Sequence, residues 1–131
     1  MSGFRTLNAA GVIAIHEELI ARYGGTQGLR DRNLLESALA RPLHLATYQH
    51  DVTIPDLAAS YSWGLLRNHP FVDGNKRIAL ASIVVFLALN GWELICSEAE
   101  ETAMILRAAA GEIDETYWSQ WLKQVSRKKR A

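Results

Sequence analysis

The sequence predicts an all-α fold of about six helices, in a single domain of residues 1–131. Apolar residues recur at helical spacing in several segments, helix-starting and helix-stopping residues flank these segments, and the connections are short. Only the segment Trp92 to Ile95 reads as extended, and there is no repeat or low-complexity stretch. A length of 131 residues with 49% hydrophobic content suits one domain with one core.

The first two helices have recognisable ends. Asn8 can cap a helix that runs to about Tyr23 and is ended by Gly24-Gly25. Asp31 opens a second helix. We expect this helix to stop near Arg41, because the proline that follows disfavours helical backbone in the residue before it.

The middle of the chain predicts two further helices. One should begin at Pro55 or Asp56 and end near Asn68. The next, Ile78 to Leu89, is strongly apolar and is followed by the stop signal Asn90-Gly91, which predicts the central buried helix. Because this segment is shorter than the roughly 20 residues that cross a bilayer, we expect no membrane contact.

The last third of the chain predicts two more helices and a tail. Ser97 and Glu100 are spaced as a capping box for a helix that reaches about Ala110. Asp114 can cap a final helix with a bulky, aromatic face. Residues 127–131 are mostly basic and should form a frayed, solvated tail.

Overall charge and cysteine content narrow the function classes. The 14 basic and 14 acidic residues give a formal net charge of zero, which argues against a general nucleic-acid binder. Cys96 is the single cysteine, so no intramolecular disulfide can form, and a reducing compartment is expected. The amino terminus also lacks a charged-then-apolar leader. These features favour a cytoplasmic protein that meets nucleic acid only through a partner.

The most informative segment is His-Pro-Phe-Val-Asp-Gly-Asn-Lys-Arg at positions 69–77, directly before the apolar helix. Asn75 and Lys76 should lie in the first turn of that helix, where free N–H groups and the helix dipole favour an anion. Gly74 would let phosphate oxygens approach the backbone closely. A phosphate-transfer site is therefore one interpretation of this segment.

Each polar side chain of the segment then has a chemical role. His69 could accept a proton from an attacking hydroxyl, and Asp73 offers the hard oxygen that Mg²⁺ prefers. Asn75, Lys76 and Arg77 would hold phosphates. The alternative is a Pro/Gly turn capped by Asp73, with a solvated Lys-Arg pair. Two cations in a first turn face the positive end of the helix dipole, an arrangement that makes better sense with an anion bound.

The segment resembles the signature of the Fic/Doc family, His-Pro-Phe-x-(Asp or Glu)-Gly-Asn-(Gly or Lys)-Arg, at every specified position. Similarity to the death-on-curing (Doc) branch extends over residues 16–25, 28–31 and 34–42 and altogether covers roughly residues 5–125. The resemblance implies a Fic-type helical bundle with a short β-hairpin-like flap over the active site.

The resemblance also implies a role for each residue of the motif. His69 would be the catalytic base, Phe71 the buried anchor that orients the loop, and Asp73 the ligand of Mg²⁺. Gly74 and Asn75 would form an anion cradle for phosphate, and Lys76 and Arg77 would bind phosphate through their charge.

Two positions differ from the adenylylating Fic pattern. Lys76 stands where many Fic enzymes have glycine, and Leu80 stands where they have a second arginine. A leucine offers no bidentate donor for a phosphate held in the Fic orientation. The resemblance then implies a Doc-type toxin and kinase, which moves the γ-phosphate of ATP to a Thr or Ser hydroxyl of elongation factor Tu. A Fic-type adenylyltransferase and a catalytically degenerate binding subunit stay open as alternatives.

By resemblance, the flap corresponds to the segment between the second and third helices, where a target peptide could add as a strand. Its residues are Tyr48, Gln49, His50, Asp51, Val52 and Thr53. An ordinary connecting loop is the alternative. His16 in the first helix is expected to be a structural hydrogen bonder rather than a catalyst.

The chain lacks the complete self-inhibitory motif of some Fic proteins, Ser/Thr-x-x-x-Glu-(Gly or Asn). Ser97 and Glu101 have the required spacing, but Thr102 follows them. Control from outside is therefore expected. The resemblance implies a Phd-like antitoxin whose disordered tail folds as an amphipathic helix into a groove on the toxin.

Overall fold

A computed structural model describes residues 3–130 and contains six α-helices and two short strands. The all-α prediction is confirmed. The elements in chain order are α1 (Ala9–Tyr23), α2 (Arg32–Tyr48), α3 (Ile54–Asn68), α4 (Asn75–Leu89), β1 (Trp92–Leu94), α5 (Glu98–Ala109), α6 (Glu115–Gln124) and β2 (Ser126–Lys128).

Side-chain caps begin most of the helices, as the sequence predicts. Asn8, Asp31 and Asp114 each accept a backbone N–H from the first turn of the helix that follows. The prediction of a capping box at Ser97 and Glu100 is confirmed for one of its two hydrogen bonds. Ser97 accepts the N–H of Glu100, but the Glu100 carboxylate accepts the indole N–H of Trp121 at 2.8 Å and so ties α5 to α6.

The start of α3 lies slightly before the predicted one. Thr53 is the N-cap of a complete capping box. Its side chain accepts the backbone N–H of Asp56, and the Asp56 side chain accepts the backbone N–H of Thr53. Pro55 occupies the first turn, where a missing N–H costs nothing.

The predicted end of α2 is wrong. The helix continues through Pro42 to Tyr48. Leu35, Leu39 and Pro42 lie on one buried face that packs against α3, and burying such a face contributes roughly 1.5–3 kcal/mol for each large apolar side chain. Arg41 also donates to the Ser60 carbonyl of α3 at 2.9 Å. These tertiary contacts outweigh the local cost of about 3 kcal/mol for a proline inside a helix.

The central buried helix is α3 rather than α4, which corrects a second prediction. Most of α3 is buried, because α2, α4 and α6 all pack against it. Val84 on α4, by contrast, is half exposed to solvent. Among residues 3–130, no helix combines the length and the apolar character needed to cross a membrane.

The prediction of a frayed tail at residues 127–131 is also wrong in part. Strand β2 pairs with β1 in antiparallel register, with Arg127 opposite Glu93. The Arg127 guanidinium lies 2.9 Å from the Glu93 carboxylate. Backbone pairing to β1 therefore orders the beginning of this segment, and position 131 lies outside the described residues.

Helices α1 to α4 run alternately up and down. The end of α3 meets the start of α2, where the Asn68 amide donates to the Leu34 carbonyl at 2.9 Å. The end of α1 meets the start of α4, where Ile20 contacts Gly74. The α1–α2 and α3–α4 connections therefore share one end of the bundle, and the α2–α3 connection lies at the other end.

Candidate active site

The motif occupies the α3–α4 connection and the first turn of α4. His69 is the C-cap of α3, with φ 48° and ψ 56°, and its side chain is exposed. Within residues 3–130, it is the only non-glycine residue with positive φ. This left-handed conformation costs about 1–2 kcal/mol for an L-residue, so the surrounding structure must hold it.

Phe71 anchors the loop in the core. Its side chain is buried and stacks on the buried His16 ring, with 3.8 Å between ring centroids and 11° between planes. His16 Nε2 lies 2.7 Å from the Asp73 carbonyl. Because a carbonyl only accepts, His16 must donate from Nε2, which fits its expected structural role.

Asn75 shapes the loop with its side chain. Its Oδ1 accepts the Phe71 N–H at 3.1 Å, and its Nδ2 donates to the Phe71 carbonyl at 2.9 Å. The side chain is buried and bonded to the loop backbone in this way. Its predicted contact with phosphate stays a prediction, and in the described chain the backbone N–H of Asn75 has no backbone acceptor and is available to an anion.

Asp73 presents an exposed carboxylate beside the start of α4. Thr26 N–H donates to one oxygen at 3.0 Å, and Gly74 N–H donates to the other at 2.8 Å. These two donors, Thr26 first, hold the pKa of Asp73 below its ordinary value of 3.8, and the positive charge of Arg77 acts in the same direction. The carboxylate is therefore ionised near neutral pH.

The start of α4 has the free donors that an anion needs. The first intrahelical bond runs from Ile78 N–H to the Gly74 carbonyl at 2.9 Å. In the described part of the chain, the N–H groups of residues 75–77 have no backbone acceptor. The fold itself also requires glycine at position 74. Its φ is 76°, and a Cβ there would lie 2.9 Å from Ile20 Cδ1.

The segment that lies against the motif is the α1–α2 connection, residues 24–31, for which the sequence predicts no function. It forms an isolated antiparallel bridge from Leu29 to Phe71. Further hydrogen bonds join the two segments in both directions. From the connection, the N–H of Thr26 donates to the Asp73 carboxylate, and the N–H groups of Arg30 and Asp31 donate to the Pro70 carbonyl. From the motif, the Val72 N–H donates to the Gly28 carbonyl, and the Arg77 guanidinium donates to the Gly24 carbonyl. The glycines at 24, 25 and 28 between two helices were the available sequence signal.

The predicted flap, residues 48–53, is not a flap over the motif. Tyr48 is the last residue of α2, residues 50–51 form a turn, and Thr53 caps α3. The segment lies at the end of α3 opposite His69, and it contains no strand. The two-stranded sheet is formed instead by β1 and β2. The structure thus supports the alternative of an ordinary connecting loop.

The two cations of the motif differ in their surroundings. Lys76 is exposed. The Arg77 guanidinium is partly covered and donates to the Gly24 carbonyl at 2.7 Å. A groove of about 320 Å³ runs from residues 73–77 along α4 and α5, and its apolar side is formed by Leu80, Ile105 and Leu106.

A single carboxylate faces this groove. Among residues 3–130, no three His, Cys, Asp or Glu side chains come close enough together to hold a metal ion by themselves. Mg²⁺ nevertheless often takes one or two protein carboxylates and completes its shell with substrate phosphates and water. In the described chain, Asp73 forms no ion pair within 4.0 Å, so its negative charge is available to such an ion.

Sequence comparisons agree with this geometry. Residues 6–87 match the model of the Fic/Doc family. The chain belongs to the Fic/Doc family. It is 34% identical to "Protein kinase doc" of Escherichia phage P1 over 109 residues, which cover 83% of this chain and 86% of that protein. It is 43% identical to "Toxin Doc" of Mycolicibacterium smegmatis over 74 residues, covering 55% and 56% of the two chains.

Proposed function

We propose that this member of the Fic/Doc family is a toxin with Mg-ATP-dependent protein kinase activity. It transfers the γ-phosphate of ATP to a Ser or Thr hydroxyl of a translation factor similar to elongation factor Tu, and so arrests translation in the bacterial cytoplasm. The observation that carries the proposal is the ionised Asp73 beside the open start of α4, with no ion pair in the described part of the chain and with His69 exposed at the edge of the same loop. The names of the two relatives support toxin and kinase.

Positioning and electrostatics supply most of the rate enhancement in this chemistry. The N–H groups of residues 75–77 and the Lys76 charge bind the phosphates, and Asp73 holds Mg²⁺, which neutralises phosphate charge when bound. His69 takes the proton of the attacking hydroxyl. The hydroxyl oxygen forms a bond to the γ-phosphorus, the bond to the β-phosphate oxygen breaks, and ADP leaves.

Leu80 favours γ-phosphate transfer over AMP transfer. It lies one turn into α4 from Lys76 and lines the apolar side of the groove. A phosphate at that level would meet a side chain with no charge or donor, so the triphosphate is held at the helix start instead. Adenylyl transfer needs a grip on the α-phosphate at a second cationic position, and Leu80 removes that position.

The direct test measures which group moves. The purified protein is incubated with Mg-ATP and elongation factor Tu, and the target is weighed by mass spectrometry. A gain of one phosphate supports the proposal, whereas a gain of one AMP assigns the chain to the adenylyltransferases. If none of several translation factors is modified, the chain is instead a catalytically degenerate binding subunit. His69→Ala is the loss-of-function control, and His50→Ala, in the distant α2–α3 connection, is the matched histidine control.

The antitoxin is the second part of the proposal. A groove of about 540 Å³ lies between α1, α4 and α5, next to the phosphate-binding end. It is lined by apolar side chains from α1 and α4 and by three charged residues, Arg77, Glu98 and Glu101. Tyr23 and Val84 are at least half exposed, which leaves an unpartnered apolar surface. An amphipathic helix with basic residues along one edge fits both the apolar lining and the two glutamates on α5.

A Phd-like antitoxin with a disordered carboxyl-terminal tail is the proposed occupant. Burial, together with the nearby Glu98 charge, raises the pKa of Glu101, and a basic partner residue would relieve that unfavourable charge. Inducing the chain in bacteria should arrest growth, and coexpression of a Phd-like antitoxin should restore it. Val84→Glu should prevent the rescue while leaving growth arrest intact. If coexpression still restores growth with Val84→Glu, the antitoxin binds a different surface of the chain.

A further inference from the structure

His69 adopts an unfavourable conformation that its own sequence does not explain. It precedes Pro70, and a residue before proline is driven toward extended backbone. It nevertheless has positive φ, and it is not a glycine. Within the described residues, its N–H also makes no hydrogen bond back to α3, whereas the C-cap residues of the other five helices do so. Another group must therefore hold this conformation.

The Arg30 side chain supplies that hold. Its Nε donates to the His69 carbonyl at 2.7 Å, and its Nη2 donates to the Asn68 carbonyl at 2.9 Å. The Asn68 carbonyl lies in the peptide plane that sets φ of His69, and the His69 carbonyl lies in the plane that sets ψ. A guanidinium is a rigid planar fork, so one side chain fixes both planes at once.

The Arg30 backbone fixes the side chain in turn. The N–H groups of Arg30 and Asp31 both donate to the Pro70 carbonyl, at 2.7 and 3.0 Å. The cationic head also lies at the carboxyl end of α3, where the helix dipole favours a positive charge. Arg30 therefore bonds three successive carbonyls around the proposed base, at residues 68, 69 and 70.

From these contacts we propose that Arg30 is a positioning residue for His69. It holds the histidine backbone in the left-handed conformation and thereby aims the imidazole at the attacking hydroxyl, without touching nucleotide or target itself. The conformational part of this inference stands on the geometry alone. Its catalytic part rests on the proposed kinase function.

The test compares Arg30→Ala and Arg30→Lys with Arg32→Ala. Arg32 is a matched control, because it is an exposed arginine two positions away whose guanidinium, among residues 3–130, hydrogen-bonds only to Glu36, at 3.3 Å. Backbone chemical shifts and coupling constants of His69 are measured by NMR. We expect positive φ in the unmodified protein and in Arg32→Ala, and extended backbone in Arg30→Ala. Arg30→Lys should fail to restore the conformation, because a single ammonium cannot bridge both carbonyls as a planar fork does. An unchanged His69 conformation in Arg30→Ala overturns the proposal.

Kinetics then test the catalytic part. Arg30→Ala should lower kcat on the order of 10- to 100-fold through misplacement of the base, while KM for ATP and the melting temperature stay near those of Arg32→Ala. An unchanged kcat with an altered His69 conformation overturns the positioning role, as does a parallel loss of kcat, ATP affinity and stability. If the unmodified protein transfers no phosphate at all, the proposed function fails, and the NMR measurement still decides what holds His69.

Discussion

The two connections that flank α2 lie at opposite ends of the bundle and have different uses. Residues 24–31 are hydrogen-bonded to the motif and to Asn68 just before it. Residues 49–53 lie at the far end of α3, which has 15 residues and is therefore about 22 Å long. In an up-and-down bundle, alternate connections share an end. The α3–α4 loop therefore lies beside the α1–α2 connection, and the α2–α3 connection, which comes just before it in the chain, is distant.

The two ends also differ in how the fold treats a carboxylate, Asp56 at one end and Asp73 at the other. Asp56, at the far end, accepts from Thr53 and Ser119 and pairs with Lys123 at 3.0 Å. Burial alone would raise the pKa of Asp56, but these partners lower it overall. Asp73 is also held ionised, yet by backbone N–H groups and without an ion pair in the described chain. The charge of Asp56 is therefore neutralised within the fold, and that of Asp73 remains available to a cation from outside.

Replacing each carboxylate by its amide should separate the two ends most clearly. Asp73→Asn should lower phosphate transfer at least on the order of 100-fold, because the proposed Mg²⁺ ligand loses its charge. Asp56→Asn should lower the free energy of unfolding by about 1 kcal/mol, through the Lys123 pair, and leave transfer intact. Initial rates at several Mg²⁺ concentrations and chemical denaturation measure the two effects. Full transfer by Asp73→Asn would refute the metal assignment.

Two adjacent glycines in the 24–31 connection give a matched pair. Both have positive φ, so alanine carries a similar backbone penalty at each. A Cβ at Gly25 would lie 2.8 Å from Asp73 Oδ2, whereas a Cβ at Gly24 would meet nothing within 4 Å. Gly25→Ala should therefore displace the carboxylate and lower transfer on the order of 10-fold more than Gly24→Ala does. Equal losses in the two variants would mean that the segment does not position Asp73.

The depressed pKa of Asp73 predicts a smaller effect on stability. Because the folded pKa lies below the ordinary value of 3.8, the unfolded chain takes up a proton first as the pH falls. The stabilisation is therefore present above about pH 4 and is lost as the pH drops through the folded pKa. The unfolding free energy of the unmodified protein should fall more steeply below that pH than that of Asp73→Asn. Parallel curves from denaturation between pH 3 and pH 5 would contradict this.

The sequence predicts the helices well because their signals are local. Caps at Asn8, Asp31 and Asp114, and the stop at Asn90, depend on neighbours within one turn. The errors concern long-range contacts. Pro42 stays helical because its face is buried against α3, and residues 126–128 pair with β1 as strand β2 instead of forming part of a frayed end. Neither outcome could be inferred before the helix packing was known.

The same reasoning explains the misplaced flap and leads to the smallest expected effect. Tyr48 is 82% exposed, and His50 and Asp51 are exposed in a turn, which suggests a role in docking. Their position, one helix length from His69, argues against it. Alanine at all three positions together should leave transfer to elongation factor Tu within about twofold of the unmodified rate, as for surface changes away from a site. A selective rise in KM for the protein target, with KM for ATP unchanged, would show that the target reaches across the bundle and that both ends belong to its binding surface.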